Sequence, residues 1–229
     1  MKKGVLFLMS VFLFWGLNAQ EKNYQGLSDF TKVGIGVPAD VFVTQNSNQS
    51  VRIESNQSNL DKIKVEVKDN KLVIKSKKNN ARFSGKIKIY ISMRKINELS
   101  LAGSGSITTQ GKVVTDELNF SIAGSGNISS ENLSAESVKI AIAGSGKINL
   151  SGDGIANSLK ASISGSGDVQ AKDFKVKNVK TSISGSADCY VSATEELKVS
   201  LSGSGNVYYF GNPLIDAHIS GSGKVKSLN

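Results

Sequence analysis

The sequence is short of the residues from which most small secreted scaffolds and most metal centres are built. It holds one Cys, one His and one Trp (Cys189, His218 and Trp15), which excludes a disulfide framework, a Cys/His zinc site and covalent haem attachment. Neither a metal nor any other cofactor is expected. Proline is as scarce, at Pro38 and Pro213 only, against 23 glycines, so turns are made with glycine and serine. After the first 19 residues no apolar run approaches the roughly 20 residues of a membrane-spanning helix. Disorder is excluded as well, because charged residues are 21% and hydrophobic ones 39% of the chain.

What is present begins with an export signature. Lys2 and Lys3 precede an apolar run from Val5 to Trp15, and Ala19 offers a small residue at a cleavage point before Gln20. A positive start, a short apolar core and a small cleavage residue, in that order, read as a signal peptide over residues 1–19. An uncleaved anchor is the alternative, but Asn18, Gln20 and Glu21 cut the run short. No Cys follows it, which closes the bacterial lipoprotein route. The mature chain is expected in the periplasm, at the cell surface or outside the cell, with no transmembrane segment.

An internal repeat dominates the rest. Gly-Ser-Gly begins at Gly103, Gly124, Gly144, Gly165, Gly203 and Gly221, with the variant Gly185-Ser186-Ala187 between the fourth and fifth. The successive spacings are 21, 20, 21, 20, 18 and 18 residues. Two residues before each first glycine stand Leu101, Ile122, Ile142, Ile163, Ile183, Leu201 and Ile219; four after stand Ile107, Ile128, Ile148, Val169, Cys189, Val207 and Val225. This period-two pattern belongs to strands with one buried face. Its parity runs unbroken through the glycines, which predicts that both point inward, that the serine points outward, and that the strand bends without ending. A unit of about 20 residues cannot bury its own apolar face, whereas a stack of such units can. The fold class predicted is all-β: a right-handed parallel β-helix or β-solenoid over residues 97–229, with equivalent positions about 4.8 Å apart.

Residues 20–27 read as a short arm, and residues 28–96 as a β segment that starts or caps the solenoid. Its strands centre on Val33/Ile35/Val37, Val41/Val43, Val51/Ile53, Ile63/Val65/Val67, Leu72/Ile74 and Ile87/Ile89/Ile91, with a hairpin turn at Asp69-Asn70. Phe30 to Ile35, Val41-Phe42-Val43, Asn59-Leu60 before Ile63, and Leu72-Val73-Ile74 look like the opening of one bacterial family, and the Leu/Ile-x-Gly-Ser-Gly units look like its body. Over about residues 28–226 the chain resembles the head GIN domain family, described as autotransporter adhesins. That resemblance implies a β-helix and an adhesion role without catalytic residues. No translocator domain accompanies it in this sequence.

Charge is lopsided. Residues 20–96 carry 15 Lys/Arg and 7 Asp/Glu, a net of +8, while residues 97–229 carry 11 and 12, a net of −1. Strand alternation turns Lys62, Lys64, Lys68, Lys71, Lys75, Lys86 and Lys88 outward, as a candidate face for acidic polysaccharide, lipopolysaccharide phosphate or phospholipid. The plainer account is a solvated edge whose lysines block aggregation. Nucleic acid is excluded as a partner, because no groove-reading element or aromatic platform accompanies the lysines.

Catalytic chemistry finds little to work with. The repeat serines, Ser104, Ser125, Ser145, Ser166, Ser186, Ser204 and Ser222, form an outward column, but a single His218 cannot serve as base along it. Three residues after each first glycine, the outward column includes Asp168 and Asp188, about 5 Å apart in a registered stack and so near the spacing of a retaining glycosidase pair. The expected function is therefore an exported, non-catalytic binding or adhesion module of the envelope. Two alternatives stand beside it: a polysaccharide-active enzyme using Asp168 and Asp188, and a self-assembling structural solenoid.

Overall fold

The computed structural model describes residues 20–229, so the signal peptide inferred above lies outside the described residues. The front segment holds β1 (Gln20–Tyr24), β2 (Lys32–Gly36), β3 (Asp40–Gln45), β4 (Ser50–Ser55), α1 (Gln57–Lys62), β5 (Ile63–Lys68), β6 (Lys71–Ser76) and β7 (Lys88–Met93). The repeats hold β8 (Glu98–Gly103), β9 (Ser106–Gln110), β10 (Val113–Gly124), β11 (Asn127–Ser130), β12 (Leu133–Gly144) and β13 (Lys147–Gly165). They continue with β14 (Asp168–Gly185), β15 (Asp188–Gly203), β16 (Asn206–Phe210), β17 (Leu214–Gly221) and β18 (Lys224–Ser227).

Successive repeats pair in parallel with their columns in register. Ile122 lies opposite Leu101 on one side and Ile142 on the other, and Gly124 lies opposite Gly103 and Gly144. The same column continues through Ile163, Ile183, Leu201 and Ile219. The chain is a β-solenoid of stacked coils, as the periodicity predicts. A first wall is built from β8, β10, β12, the later halves of β13, β14 and β15, and β17. A second wall is built from β9, β11, the earlier halves of β13, β14 and β15, then β16 and β18. Inward Leu, Ile, Val and Phe side chains of both walls form one continuous core.

The Gly-Ser-Gly units are the corners between the walls, and they differ from the expectation in one respect. A strand ends at the first glycine and a new one starts three residues later, as from Gly124 to Asn127. All seven first glycines have φ between 111° and 132°, a region that side chains rarely adopt. The second glycine is buried in every unit but the last, the first glycine in none, and Ala187 fills the second column fully buried. The corner is itself tied up the stack: the Ser145 N–H donates to the Gly124 carbonyl (2.9 Å) and the Lys147 N–H to that of Gly126 (3.1 Å). The later spacing of 18 arises away from the corner. Between β14 and β15, Ala171–Lys175 faces only Val191–Ser192, then Val176–Asn178 faces Ala193–Glu196, a net loss of two residues.

The front segment is not stacked in chain order. β2 lies between β6 and β8, with Ile35 opposite both Ile74 and Leu101, and β3 lies between β7 and β9. The β6–β7 coil thus covers the β2–β3 coil, and the chain then crosses back to β8. Antiparallel pairs finish this end: β5 on β6, β4 on β7, and β1 on β4. Asp69 and Asn70 have φ of 51° and 59°, the double positive of a type I′ hairpin. Helix α1 has no counterpart in the strand pattern; Asn56 caps it by accepting the Asn59 N–H at 2.9 Å.

Candidate functional site

Of the seven lysines predicted as one basic face, four share one face of the β5–β6 hairpin and three stand on α1 and at β7. On the β5–β6 hairpin Lys64 lies opposite Lys75, and Lys68 opposite Lys71. Glu66 takes both Lys64 (2.5 Å) and Lys75 (2.9 Å), and these hydrogen bonds, Lys64 first, pull its carboxyl down to about 2. Lys71 contacts Glu98 at 2.5 Å. Lys62 ends α1 and donates to the Arg82 carbonyl at 2.9 Å. Lys88 stands on β7 opposite Asp40 and Glu54, and Lys86 lies just before that strand. Ion pairs reach Lys64, Lys71 and Lys75, and among the described residues Lys62, Lys68, Lys86 and Lys88 form none.

Asp168 and Asp188 do occupy one column, which runs Lys147, Asp168, Asp188, Asn206, Lys224. One oxygen of each carboxylate is engaged by the stack. Asp168 Oδ1 accepts the Asp188 backbone N–H at 3.1 Å, and Asp188 Oδ1 accepts the Asn206 N–H at 3.0 Å and its Nδ2 at 2.9 Å. Beside them Cys189 is fully buried, and burial, reinforced by the two carboxylates, pushes its thiol up to about 12. The corner serines Ser104, Ser125, Ser145, Ser166, Ser186, Ser204 and Ser222 are all exposed. His218 lies on β17 beside Asp216 (3.4 Å), and among the described residues no serine hydroxyl is hydrogen-bonded to it. Tyr208 stacks on Tyr190 of the second wall, with ring centroids 4.5 Å apart.

A further run of like charge lies on the first wall, in a column that the charge count conceals. Five residues before each first glycine stand Glu98, Asn119, Lys139, Lys160, Lys180, Lys198 and Asp216, all facing outward and paired coil to coil. Four consecutive coils thus place exposed lysines directly opposite one another, at the strand spacing of about 4.8 Å. Carboxylates meet only the ends of the row. Glu117 holds Lys139 at 2.6 Å, which lowers the carboxyl, and Glu196 holds Lys198 at 2.7 Å, which raises the ammonium. Among the described residues Lys160 and Lys180 have no ion-pair partner. Aligning the repeats and reading this outward column would have found the row; a net of −1 over the whole region hides it.

Beside the row the wall is hollowed. The next two outward positions carry only small residues over five coils: Ser121 and Ala123, Ala141 and Ala143, Ser162 and Ser164, Ser182 and Ser184, Ser200 and Ser202. His218 and Ser220 continue them on β17. The result is an open groove of about 920 Å³ running along the stack. Lysines flank one margin and the corner serines the other. Alternation dictates this geometry, because every second residue of a registered parallel wall forms a straight line across the coils.

Comparison with known proteins agrees with the fold. No curated protein matches the chain. The crystal structure of a putative adhesin from Bacteroides fragilis superposes with a TM-score of 0.84 at 25% identity, covering 93% of this chain and 98% of that one. A structure from Parabacteroides distasonis described as a putative lipid binding protein gives 0.76 at 22% identity, with 93% and 98% covered. A putative adhesin from Parabacteroides merdae gives 0.69 at 20% identity, with the same coverage. Residues 29–213 match the family described as "Putative auto-transporter adhesin, head GIN domain". The registered solenoid and this match over most of its length have one conclusion: the chain belongs to the head GIN family.

Proposed function

We propose that the protein is an exported, non-catalytic adhesion module that holds an extended anionic glycan of the bacterial envelope along the lysine row and the groove beside it. One observation carries this: four lysines in register over four coils, of which Lys160 and Lys180 lack a carboxylate among the described residues. Like charges directly opposite one another destabilise a sheet. The free protein therefore carries a cost that a ligand bearing regularly spaced negative charge removes. A linear glycan also suits the shape, since the groove runs across five coils and four of them offer serine hydroxyls. Its cations are spaced for a polymer rather than for a single small anion.

The sites of the alternative enzyme support binding over cleavage. A carboxylate pair for glycoside hydrolysis works from both oxygens of each group toward the substrate, whereas Oδ1 of Asp168 and of Asp188 is held by a backbone N–H of the next coil. Export follows from the amino-terminal signature and from kinship with proteins named as adhesins. Among the described residues no helix is long and apolar enough to cross a membrane.

The test is binding to immobilised polygalacturonate, a neutral glucan and anionic lipid vesicles, each at low and moderate salt. Binding to the anionic glycan alone, weakening steeply with salt, is the expected result. Equal retention on the neutral glucan, or salt-insensitive binding, would overturn the proposal, and capture by vesicles alone would replace the glycan with a lipid surface. The same glycan should show no cleavage, with wild type and Asp168→Asn indistinguishable.

A further inference from the structure

The two ends of the stack are finished differently. Antiparallel strands and α1 cover the front end. At the far end, among the described residues, the β17–β18 coil has one neighbour, β15–β16. Its inward side chains are uncovered. Leu197 is 0% exposed and Leu201 3%, but their successors in the same columns, Ile215 and Ile219, are 46% and 43% exposed. All eight residues of β17 are exposed. What reaches solvent here is the cross-section of the core, bordered by a strand edge with unpaired backbone groups.

We propose that this end is the contact between two copies of the chain, a two-fold tail-to-tail dimer in which β17 pairs antiparallel with the partner's β17. The pattern of β17 argues for a second copy over another partner, because the strand complements itself in a single register. Centred on Ala217, a two-fold antiparallel pair sets Asp216 opposite the partner's His218, and His218 opposite the partner's Asp216. The same register sets Ile215 opposite the partner's Ile219 on the inward face, again twice. Shifting the centre to Asp216 or His218 sets that titratable residue opposite its own copy and leaves Ile215 or Ile219 opposite Ala217, losing both matches. Lys224 and Lys226 on β18 repel their counterparts in the second wall and confine the joint to β17. Because a two-fold contact uses the same patch of both copies, it stops at two and does not grow into filaments.

This inference is independent of the ligand on the lysine row. Its test is the mass of the purified protein by sedimentation equilibrium across a hundredfold range of concentration. A monomer–dimer equilibrium is expected, with Ile219→Lys raising the dimer dissociation constant tenfold or more while circular dichroism stays unchanged. Asp216→Lys alone should weaken the dimer, and the swap Asp216→Lys/His218→Asp should restore it, since the opposed pair is then rebuilt with its signs exchanged. A mass that stays monomeric, growth past two copies, or a dimer indifferent to Ile219→Lys would each overturn the proposal, and the surface swap remains readable if Ile219→Lys fails to fold.

Discussion

The corner glycines make a sharp test, because the two glycines of each unit do different work. Gly185, a first glycine, has φ 132°, and a Cβ built on it would lie 2.1 Å from the Gly165 carbonyl oxygen. Distance alone does not decide the cost: a Cβ on Gly205 would lie equally close to the Ala187 carbonyl, yet Ala187 itself occupies that second-glycine column. Backbone conformation decides it. Forcing alanine into this φ costs about 1–3 kcal/mol. Relief by shifting the coil would loosen the hydrogen bonds from Ser186 N to Gly165 O and from Ser204 N to Gly185 O, each 2.9 Å and each worth about 1 kcal/mol. Gly185→Ala should therefore cost about 3 kcal/mol or more. Ala187→Gly loses one buried methyl and gains unfolded-state freedom, about 1–1.5 kcal/mol. With a urea slope of about 2 kcal/mol/M, the midpoints should fall by about 1.5 M and about 0.5–0.75 M. Urea titration followed by circular dichroism reads both, and a Gly185→Ala midpoint within about 0.25 M of wild type would refute the assignment of the first glycines.

Three further outcomes are expected. Thr181 is fully buried in the core, and among the described residues its Oγ1 has no hydrogen-bond partner, so Thr181→Val should raise stability by about 1 kcal/mol in the same titration; a loss would show that the hydroxyl is satisfied. Cys189, fully buried with its thiol pushed up to about 12, should resist a thiol-specific reagent in mildly alkaline buffer and react on unfolding in urea; rapid labelling of the native protein would contradict its place in the core. The Glu66 carboxyl sits at about 2 against an ordinary 4.5, so the unfolded chain takes up this proton first as pH falls. Its stabilising contribution should be full above pH 4.5 and vanish as pH falls through about 2, read as the stability gap between wild type and Glu66→Gln; a carboxyl midpoint near 4.5 by NMR would remove the basis for it.

Much of the fold was legible because the repeat repeats its errors as well as its rules. Ile122, Ile142, Ile163 and Ile183 align at one phase, and parallel stacking is the arrangement that buries them all. The front segment was less legible. Its strands were readable, but nothing local in β2 or β6 tells that β6–β7 will be laid over β2–β3, since that order rests on pairings between residues 39 and 48 positions apart. Helix α1 escaped because it is a single short turn set by the Asn56 cap rather than by an apolar period. The site was readable only in part. Asp168 and Asp188 were correctly placed in one column, but their engagement with backbone N–H groups depends on side-chain geometry. The row from Lys139 to Lys198 was missed because counting charge by segment averages over both faces and all columns.

The functional account rests on where an anionic polymer lies, and paired substitutions on the two basic regions locate it. Binding of polygalacturonate at low salt should be measured for wild type, Lys160→Gln/Lys180→Gln and Lys64→Gln/Lys75→Gln, which remove equal charge from the first wall and from the β5–β6 hairpin. A tenfold or greater loss of affinity with a shallower salt dependence for the first pair, and little change for the second, is the predicted result. Full affinity in the first pair, or an equal loss in both, would contradict a site on the lysine row.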